Sequence, residues 1–300
     1  MKVSLSVLKQ RARLLEEIRA FFLAKHVLEV ETPVLGGTGV SDPHIQNMAT
    51  QINNSRYYLQ TSPEFFMKRL LSTGSGSIYQ VCKVFRDEEL GRHHNPEFTM
   101  IEWYRTGFDY FQLMDEVEQL VSMLMGIKEF QRMTYQDIFL KMVGIDPFTA
   151  TEVELEKKAG QVSGQTCRND LLDLILAEKV LPVLQGAIFI YDYPADQAAM
   201  AKIRGDVAER FELIVDGIEL ANGYSELIDP VEQEQRFNIE NKKREAMGME
   251  QMPIDQQFLK AMTKGIPECA GVALGFDRLV MLACNKNTLA DVMPFLVEIA

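Results

Sequence analysis

The run Gly271-Val272-Ala273-Leu274-Gly275-Phe276-Asp277-Arg278-Leu279-Val280-Met281-Leu282 reads as a glycine-bearing strand that feeds directly into a buried helix, with an arginine in the helix's first turn. Working outward, two long strand-like segments lie upstream, Ser77 to Arg86 and Glu97 to Tyr104. They flank a loop from Asp87 to Pro96 that is too charged and too rich in histidine for a bare turn. The second segment alternates, with Phe98, Met100, Glu102 and Tyr104 on one face and Thr99, Ile101 and Trp103 on the other. Both faces are largely apolar, so a carboxylate at Glu102 requires a cationic partner.

Further out, Leu5, Leu8, Ala12, Leu15, Ile18 and Phe22 recur at steps of three or four and predict an amphipathic helix over 5–25. A short strand at Val27–Glu31 then ends at Thr32-Pro33, and Gly36-Gly37-Thr38-Gly39 reads as a loop. A strand at Tyr57–Thr61 precedes Ser62-Pro63-Glu64, which supplies an N-cap, an N1 proline and an early carboxylate for a helix to Ser72. From 108 to 185 the pattern is helical and polar and predicts a helical insertion, with helices at Asp109–Met125, Tyr135–Val143, Glu152–Gln161 and Asn169–Lys179. Strands resume at Ala187–Tyr191 and Ala208–Val215, where Asp216-Gly217 signals a two-residue hairpin. A glutamate-rich helix capped by Asp229-Pro230 runs to Gly248.

Composition narrows the function classes. The 300 residues carry 31 Lys plus Arg against 43 Asp plus Glu, a net charge of −12, with 47% hydrophobic and 25% charged residues. That balance excludes disorder and argues against broad electrostatic binding of nucleic acid. No apolar run approaches the roughly 20 residues of a membrane span, which predicts a cytoplasmic protein with no membrane partner. Cys82, Cys167, Cys269 and Cys284 form no CxxC or zinc-ligand pattern. Gly74-Ser75-Gly76 is not a Walker A sequence.

Counting outward from a turn at Asp216-Gly217 pairs Val215 with Ile218, Ile214 with Glu219 and Glu212 with Ala221. Glu212 and Glu219 then share a face as diagonal neighbours, roughly 7–8 Å apart. Such a pair suits either Mg²⁺ on a polyphosphate or an exposed hairpin face. The following Ala221-Asn222-Gly223-Tyr224-Ser225-Glu226 adds an amide, an aromatic hydroxyl and a further carboxylate. With Glu64, Glu102 and Tyr104 these residues suit an amino-bearing substrate when taken together, and ordinary surface or network positions when taken singly. Arg86 ends a strand and Arg278 begins a helix, positions that fit phosphate recognition or an ordinary ion pair. His93 and His94 lack the third ligand of a metal site and fit phosphate contact better.

Taken together, the chain resembles a class II aminoacyl-tRNA synthetase catalytic core. The helix and strand ending at Pro33 resemble motif 1, Phe85-Arg86-Asp87-Glu88 with the loop to Phe98 resembles motif 2, and Gly271 to Arg278 resembles motif 3. Within the class, Arg92 to Tyr104, Arg210-Phe211-Glu212-Leu213 and Glu219 to Leu227 are similar to lysyl-tRNA synthetases. Ala221-Asn222-Gly223 stands where those enzymes carry Gly-Asn-Gly, and Ser62-Pro63-Glu64 where they carry Ala-Pro-Glu. Both changes, with the short length, resemble the lysyl-tRNA synthetase-like paralogues that ligate (R)-β-lysine to a lysine of translation elongation factor P.

The resemblance implies an α+β fold, an antiparallel sheet flanked by helices, forming a single catalytic domain over 1–300 without an anticodon-binding domain. It implies a homodimer built through motif 1. It also implies an ATP- and Mg²⁺-dependent ligase that forms a lysyl or β-lysyl adenylate, with elongation factor P rather than tRNA as acceptor. Arg86 and Arg278 carry the catalytic charge. The resemblance places ATP on Arg86, Glu88, His94, Asn95, Phe98, Glu212, Glu219 and Arg278, with Mg²⁺ on Glu212 and Glu219. The amino acid falls to Ser62, Glu64, Glu102, Tyr104, Ala221, Asn222, Tyr224 and Glu226. Two alternatives remain: a minimal lysyl-tRNA synthetase charging tRNA with α-lysine, and a catalytically silent regulatory paralogue. The presence of Arg86, Glu88, Glu212, Glu219 and Arg278 disfavours the second.

Overall fold

The first helix, α1 (Leu5–Ala24), starts where the Ser4 hydroxyl accepts from the Val7 backbone N–H at 3.4 Å. The computed structural model describes residues 3–87, 90–160 and 167–297. The helix buries Val7, Leu14, Ile18 and Phe22, whereas Leu5 and Ala12 are exposed. The buried stripe is therefore rotated from the expected one, because the position in line between Val7 and Leu14 is occupied by Arg11, which is held by a buried carboxylate.

In chain order there follow β1 (Leu28–Glu29), β2 (Leu35–Gly36), β3 (Ala49–Ile52), β4 (Ser55–Leu59), α2 (Glu64–Leu71), β5 (Ile78–Phe85) and β6 (Glu97–Thr106). Next come α3 (Tyr110–Met125), β7 (Phe130–Thr134), α4 (Tyr135–Met142), α5 (Glu152–Ala159), α6 (Arg168–Ile175), β8 (Ala187–Pro194), β9 (Ile203–Arg204), β10 (Val207–Val215) and β11 (Ile218–Ser225). The chain closes with α7 (Pro230–Ala246), α8 (Gln256–Lys264), β12 (Cys269–Gly275) and α9 (Phe276–Ala283). These elements divide into two compact units, Met1–Gly107 with Ile228–Ala300, and Phe108–Leu227.

In the first unit, β6 lies antiparallel to both β5 and β12, and β1 adds parallel to β5. The expected alternation of β6 holds. On the Trp103 face, Phe22 of α1 stacks on Tyr79 at 4.3 Å between centroids and meets Trp103 edge-on at 5.3 Å. On the Glu102 face, the register sets Gly271 beside Tyr104, Ala273 beside Glu102 and Gly275 beside Met100. The strand beside these polar side chains thus carries small residues. A separate sheet, ordered β2-β4-β3, takes Gly36 into the two-residue strand Leu35–Gly36, while Gly37-Thr38-Gly39 stays loop as expected. Its hairpin turns through Asn53 and Asn54 at φ 50° and 65°. Helix α2 begins one residue later than expected, with Pro63 rather than Ser62 at the N-cap, although the Ser62 hydroxyl still accepts from the Glu64 N–H at 3.1 Å.

In the second unit, β10 pairs antiparallel with β8 and β11, while β7 runs parallel to β8. Tyr135, Ile138 and Phe139 of α4, Leu155 of α5 and Leu171 and Ile175 of α6 share one core with Ile188, Ile190 and Ile214 of the sheet. The Asp216-Gly217 turn forms as its residues dictate. Gly217 has φ 78°, and a Cβ there would meet the Leu181 carbonyl oxygen at 2.6 Å, so no other residue fits.

Candidate active site

The loop between β5 and β6 delivers the cationic part of the first unit. Arg86, just past β5, is anchored by its backbone N–H to the Pro96 carbonyl at 2.9 Å and by Nε to the Thr61 carbonyl at 3.3 Å. Its guanidinium lies 5.3 Å from the Phe98 ring centroid. Arg278, in the first turn of α9, donates through Nε to the His93 carbonyl at 3.2 Å and through Nη2 to His94 Nε2 at 2.8 Å. These carbonyls, the ring and the imidazole help fix the direction of each guanidinium. Asn95 is buried and fixes the loop, donating to the Glu97 carbonyl at 2.6 Å and accepting from the Val297 N–H at 3.3 Å. Glu88 lies outside the described residues. His93 is tied by Nε2 to the Asn287 carbonyl at 3.1 Å, and among the described residues no group of three His, Cys, Asp or Glu could hold a metal.

The same unit holds acidic side chains on β6 and α2. Glu102, 3% exposed, accepts from the Tyr104 hydroxyl at 2.7 Å. Glu64 in the first turn of α2 accepts from Lys68 at 2.7 Å, one helical turn on, and Lys68 is fully buried. Sequence reading missed Lys68, although its i,i+4 spacing from Glu64 was visible. Burial, and secondarily the charge of Glu102, push the Cys82 thiol up to about 12, against a smaller lowering by the Gln60 side chain. Cys82 is therefore no nucleophile at neutral pH.

In the second unit the hairpin count is corrected. Val215 pairs with Ile218 and Ile214 with Glu219, as expected, but a bulge at Leu220 makes Ala221 oppose Leu213 and brings Asn222 opposite Glu212. Glu212, Glu219, Asn222 and Tyr224 thus share one face, and Ala221 turns its methyl to the other, beside Leu213. Arg210, two residues before Glu212 on that shared face, donates Nη2 to Glu212 Oε1 at 2.5 Å and Nη1 to the Gln197 carbonyl at 2.8 Å, over the Tyr193 ring at 4.4 Å. Burial, and then the charge of Glu219, push the Glu212 carboxyl up to about 7, against the lowering by Arg210 and Tyr193. The Asn222 Oδ1 is buried and accepts no hydrogen bond among the described residues. Glu226, 2% exposed, sits at a bridge with Ala201. Arg210 was quoted in the resemblance but given no role, because an arginine two residues from a glutamate is ordinary until burial is known.

Comparison with known proteins gives these groups a context. A family model for tRNA synthetases class II (D, K and N) matches residues 2–298. The chain is 46% identical over 309 residues to an elongation factor P (R)-β-lysine ligase of Pseudoalteromonas translucida, covering 97% of this chain and 95% of that protein. It is 46% identical over 310 residues to the protein of the same name from Vibrio cholerae, with coverage of 97% and 95%. A Salmonella typhi protein, also so named, is 44% identical over 312 residues, with coverage of 98% and 96%.

Proposed function

We propose that this chain, which belongs to the class II tRNA synthetases (D, K and N), is an ATP-dependent ligase that activates (R)-β-lysine and transfers it to a lysine side chain of translation elongation factor P. The observation that carries the reading is the near-full-length identity with proteins of that name, joined to retention of both arginines and the carboxylate set. In the first step the β-lysine carboxylate attacks the ATP α-phosphorus in line, the new O–P bond forms, and pyrophosphate leaves with the electrons of the broken bond. Arg86 faces the α-phosphate and Arg278 the γ-phosphate, while Phe98 and Arg278 enclose adenine, with Glu88 at its amino group and His94 and Asn95 at the loop. In the second step a neutral lysine amine of the acceptor attacks the acyl carbon, an amide forms and AMP departs. No enzyme side chain becomes acylated, in keeping with the high-pKa thiol of Cys82.

In the first unit Glu102 and Tyr104 suit the side-chain ammonium and Glu64 a second amine, and in the second unit Glu226 and Asn222 offer acceptors to an amine. The buried Asn222 oxygen without a donor supports that assignment. Ser62 acts by fixing the Glu64 backbone, and Ala221 acts through its main chain, since its methyl turns away from Asn222. Glu212 and Glu219 fit Mg²⁺: both are hard oxygen donors on one face, and Glu212 is held at a raised pKa that a cation would relieve. Bound there, Mg²⁺ would supply charge neutralisation for the phosphates. We further propose a cytoplasmic homodimer, which the exposed Leu5 and Leu23 on α1 support; among the described residues no helix is long and apolar enough to cross a membrane. Pyrophosphate exchange with ATP, Mg²⁺ and each lysine isomer tests the activation step. Exchange favouring (R)-β-lysine is expected, and exchange with neither isomer would overturn the reading.

A further inference from the structure

Behind the face that carries Glu102 and Tyr104, one side chain gathers three separate parts of the first unit. Arg11 of α1 donates Nη1 to Asp277 Oδ1 at 2.5 Å and Nη2 to Thr99 Oγ1 at 3.0 Å. The ring closes where the Thr99 backbone N–H donates to Asp277 Oδ2 at 2.6 Å. The guanidinium also lies 4.7 Å from the centroid of Phe276, a fully buried side chain, and Asp277 is 2% exposed. A carboxylate so enclosed persists as an anion only with a matched cation and hydrogen bonds to both oxygens, and Arg11 and Thr99 provide them.

The positions of the anchors give this ring a consequence for the site. Thr99 directly follows Phe98 in β6, and Asp277 directly precedes Arg278 in α9. Alternation sends Thr99 to the α1 side of the sheet while Phe98 faces the other way. The guanidinium fork therefore fixes the backbone of β6 and the start of α9 to each other at the residues adjoining Phe98 and Arg278. We propose that Arg11 is a positioning residue that sets the spacing of Phe98 and Arg278, and so the width of the slot that takes the adenine of ATP. The inference rests on the reading that those two side chains enclose adenine. Arg11 acts through its anchors Thr99 and Asp277. A lysine at the same place would keep the charge but could satisfy only one anchor, because its donors radiate from a single nitrogen.

The test uses the full chain, wild type and three variants, Arg11→Lys, Thr99→Val and Thr99→Ser. KM values for ATP and for β-lysine are measured by pyrophosphate exchange, ATP binding is measured separately by calorimetry, and a thermal melt of each variant reports folding. Arg11→Lys is expected to raise the KM and Kd for ATP about tenfold while the KM for β-lysine stays within about twofold, the scale of losing one charge-assisted hydrogen bond. Thr99→Val is expected to raise the ATP values about threefold, the loss of one neutral acceptor, and Thr99→Ser to restore them. Folded variants with unchanged ATP affinity, or with ATP and β-lysine values rising in parallel, would overturn the proposal and leave the ring a purely structural clamp. If the wild type binds ATP but exchanges no pyrophosphate with either isomer, the ligase reading has failed while the calorimetric comparison still decides the role of Arg11. If the wild type binds no ATP, both fall.

Discussion

The two units solve opposite electrostatic problems. In the first, Arg86 and Arg278 are oriented by carbonyls, a ring and an imidazole, so their geometry is set before any phosphate arrives. In the second, Glu212 is buried beside Glu219 with its carboxyl raised to about 7, and Asn222 holds a buried oxygen without a donor among the described residues. Half-buried arginines can be preorganised at modest cost, because part of each guanidinium stays hydrated while the rest is held by hydrogen bonds. Buried carboxylates carry a desolvation cost that a bound cation offsets. The arginines are thus held in place by protein acceptors, and the carboxylate group carries a desolvation cost that Arg210 offsets in part and a cationic ligand would offset further.

The largest expected effect breaks the arginine side of that contrast. Arg86→Ala is expected to lower pyrophosphate exchange by about 10³-fold or more with little change in stability, the scale of removing one preorganised transition-state contact. A loss below tenfold would show that Arg86 does not face the reacting phosphate. On the carboxylate side, Glu219→Gln is expected to lower the Glu212 pKa by removing a like charge, yet to weaken Mg²⁺ binding by about tenfold or more, since one of two hard ligands is lost. Manganese binding followed by EPR checks it, and unchanged affinity would dissociate this pair from the metal.

A smaller effect sharpens the correction at the bulge. Asn222→Ala is expected to raise the KM for the amino acid about tenfold, whereas Ala221→Gly should shift the preference between α- and β-lysine by less than about threefold, because the Ala221 methyl faces Leu213. A larger shift from Ala221→Gly would return the methyl to the pocket. The smallest effect concerns a residue of neither group. Burial pushes the Glu240 carboxyl of α7 from an ordinary 4.5 up to about 7, opposed by a hydrogen bond from the Ser41 hydroxyl. The folded state therefore holds a proton that the unfolded chain releases near 4.5, so this group's contribution to stability falls as pH rises from about 4.5 to about 7. Urea midpoints at pH 5 and pH 8 should differ less in Glu240→Gln than in the wild type, and an equal difference would refute the assignment.

How much of this the sequence disclosed varied with the kind of signal. Strong local chemistry carried through: the Asp216-Gly217 turn, the Asp229 cap and the β12 to α9 passage all form where residue types demand them. The bulge at Leu220 was not legible, because one extra residue changes pairing without changing composition. Strand β7 and helix α8 were also missed, the first a five-residue edge with weak alternation, the second hidden behind a proline and polar residues despite its Asp255 cap. Of the candidate site, sequence motifs singled out residues such as Arg86, Glu102 and Glu212, but not the side chains that hold them. Lys68, Arg210 and Arg11 become visible only once burial and long-range contacts are known, since each is an ordinary charged residue in sequence.

The central claim is transfer to a protein amine through an adenylate, and acceptor mass tests it most directly. The full chain is incubated with ATP, Mg²⁺ and either α- or (R)-β-lysine, with elongation factor P and bulk tRNA offered together, and the intact mass of each acceptor is measured. The account predicts a gain of one lysyl unit on elongation factor P, larger with β-lysine, and none on tRNA. A gain on tRNA alone would contradict it and make the chain a minimal synthetase.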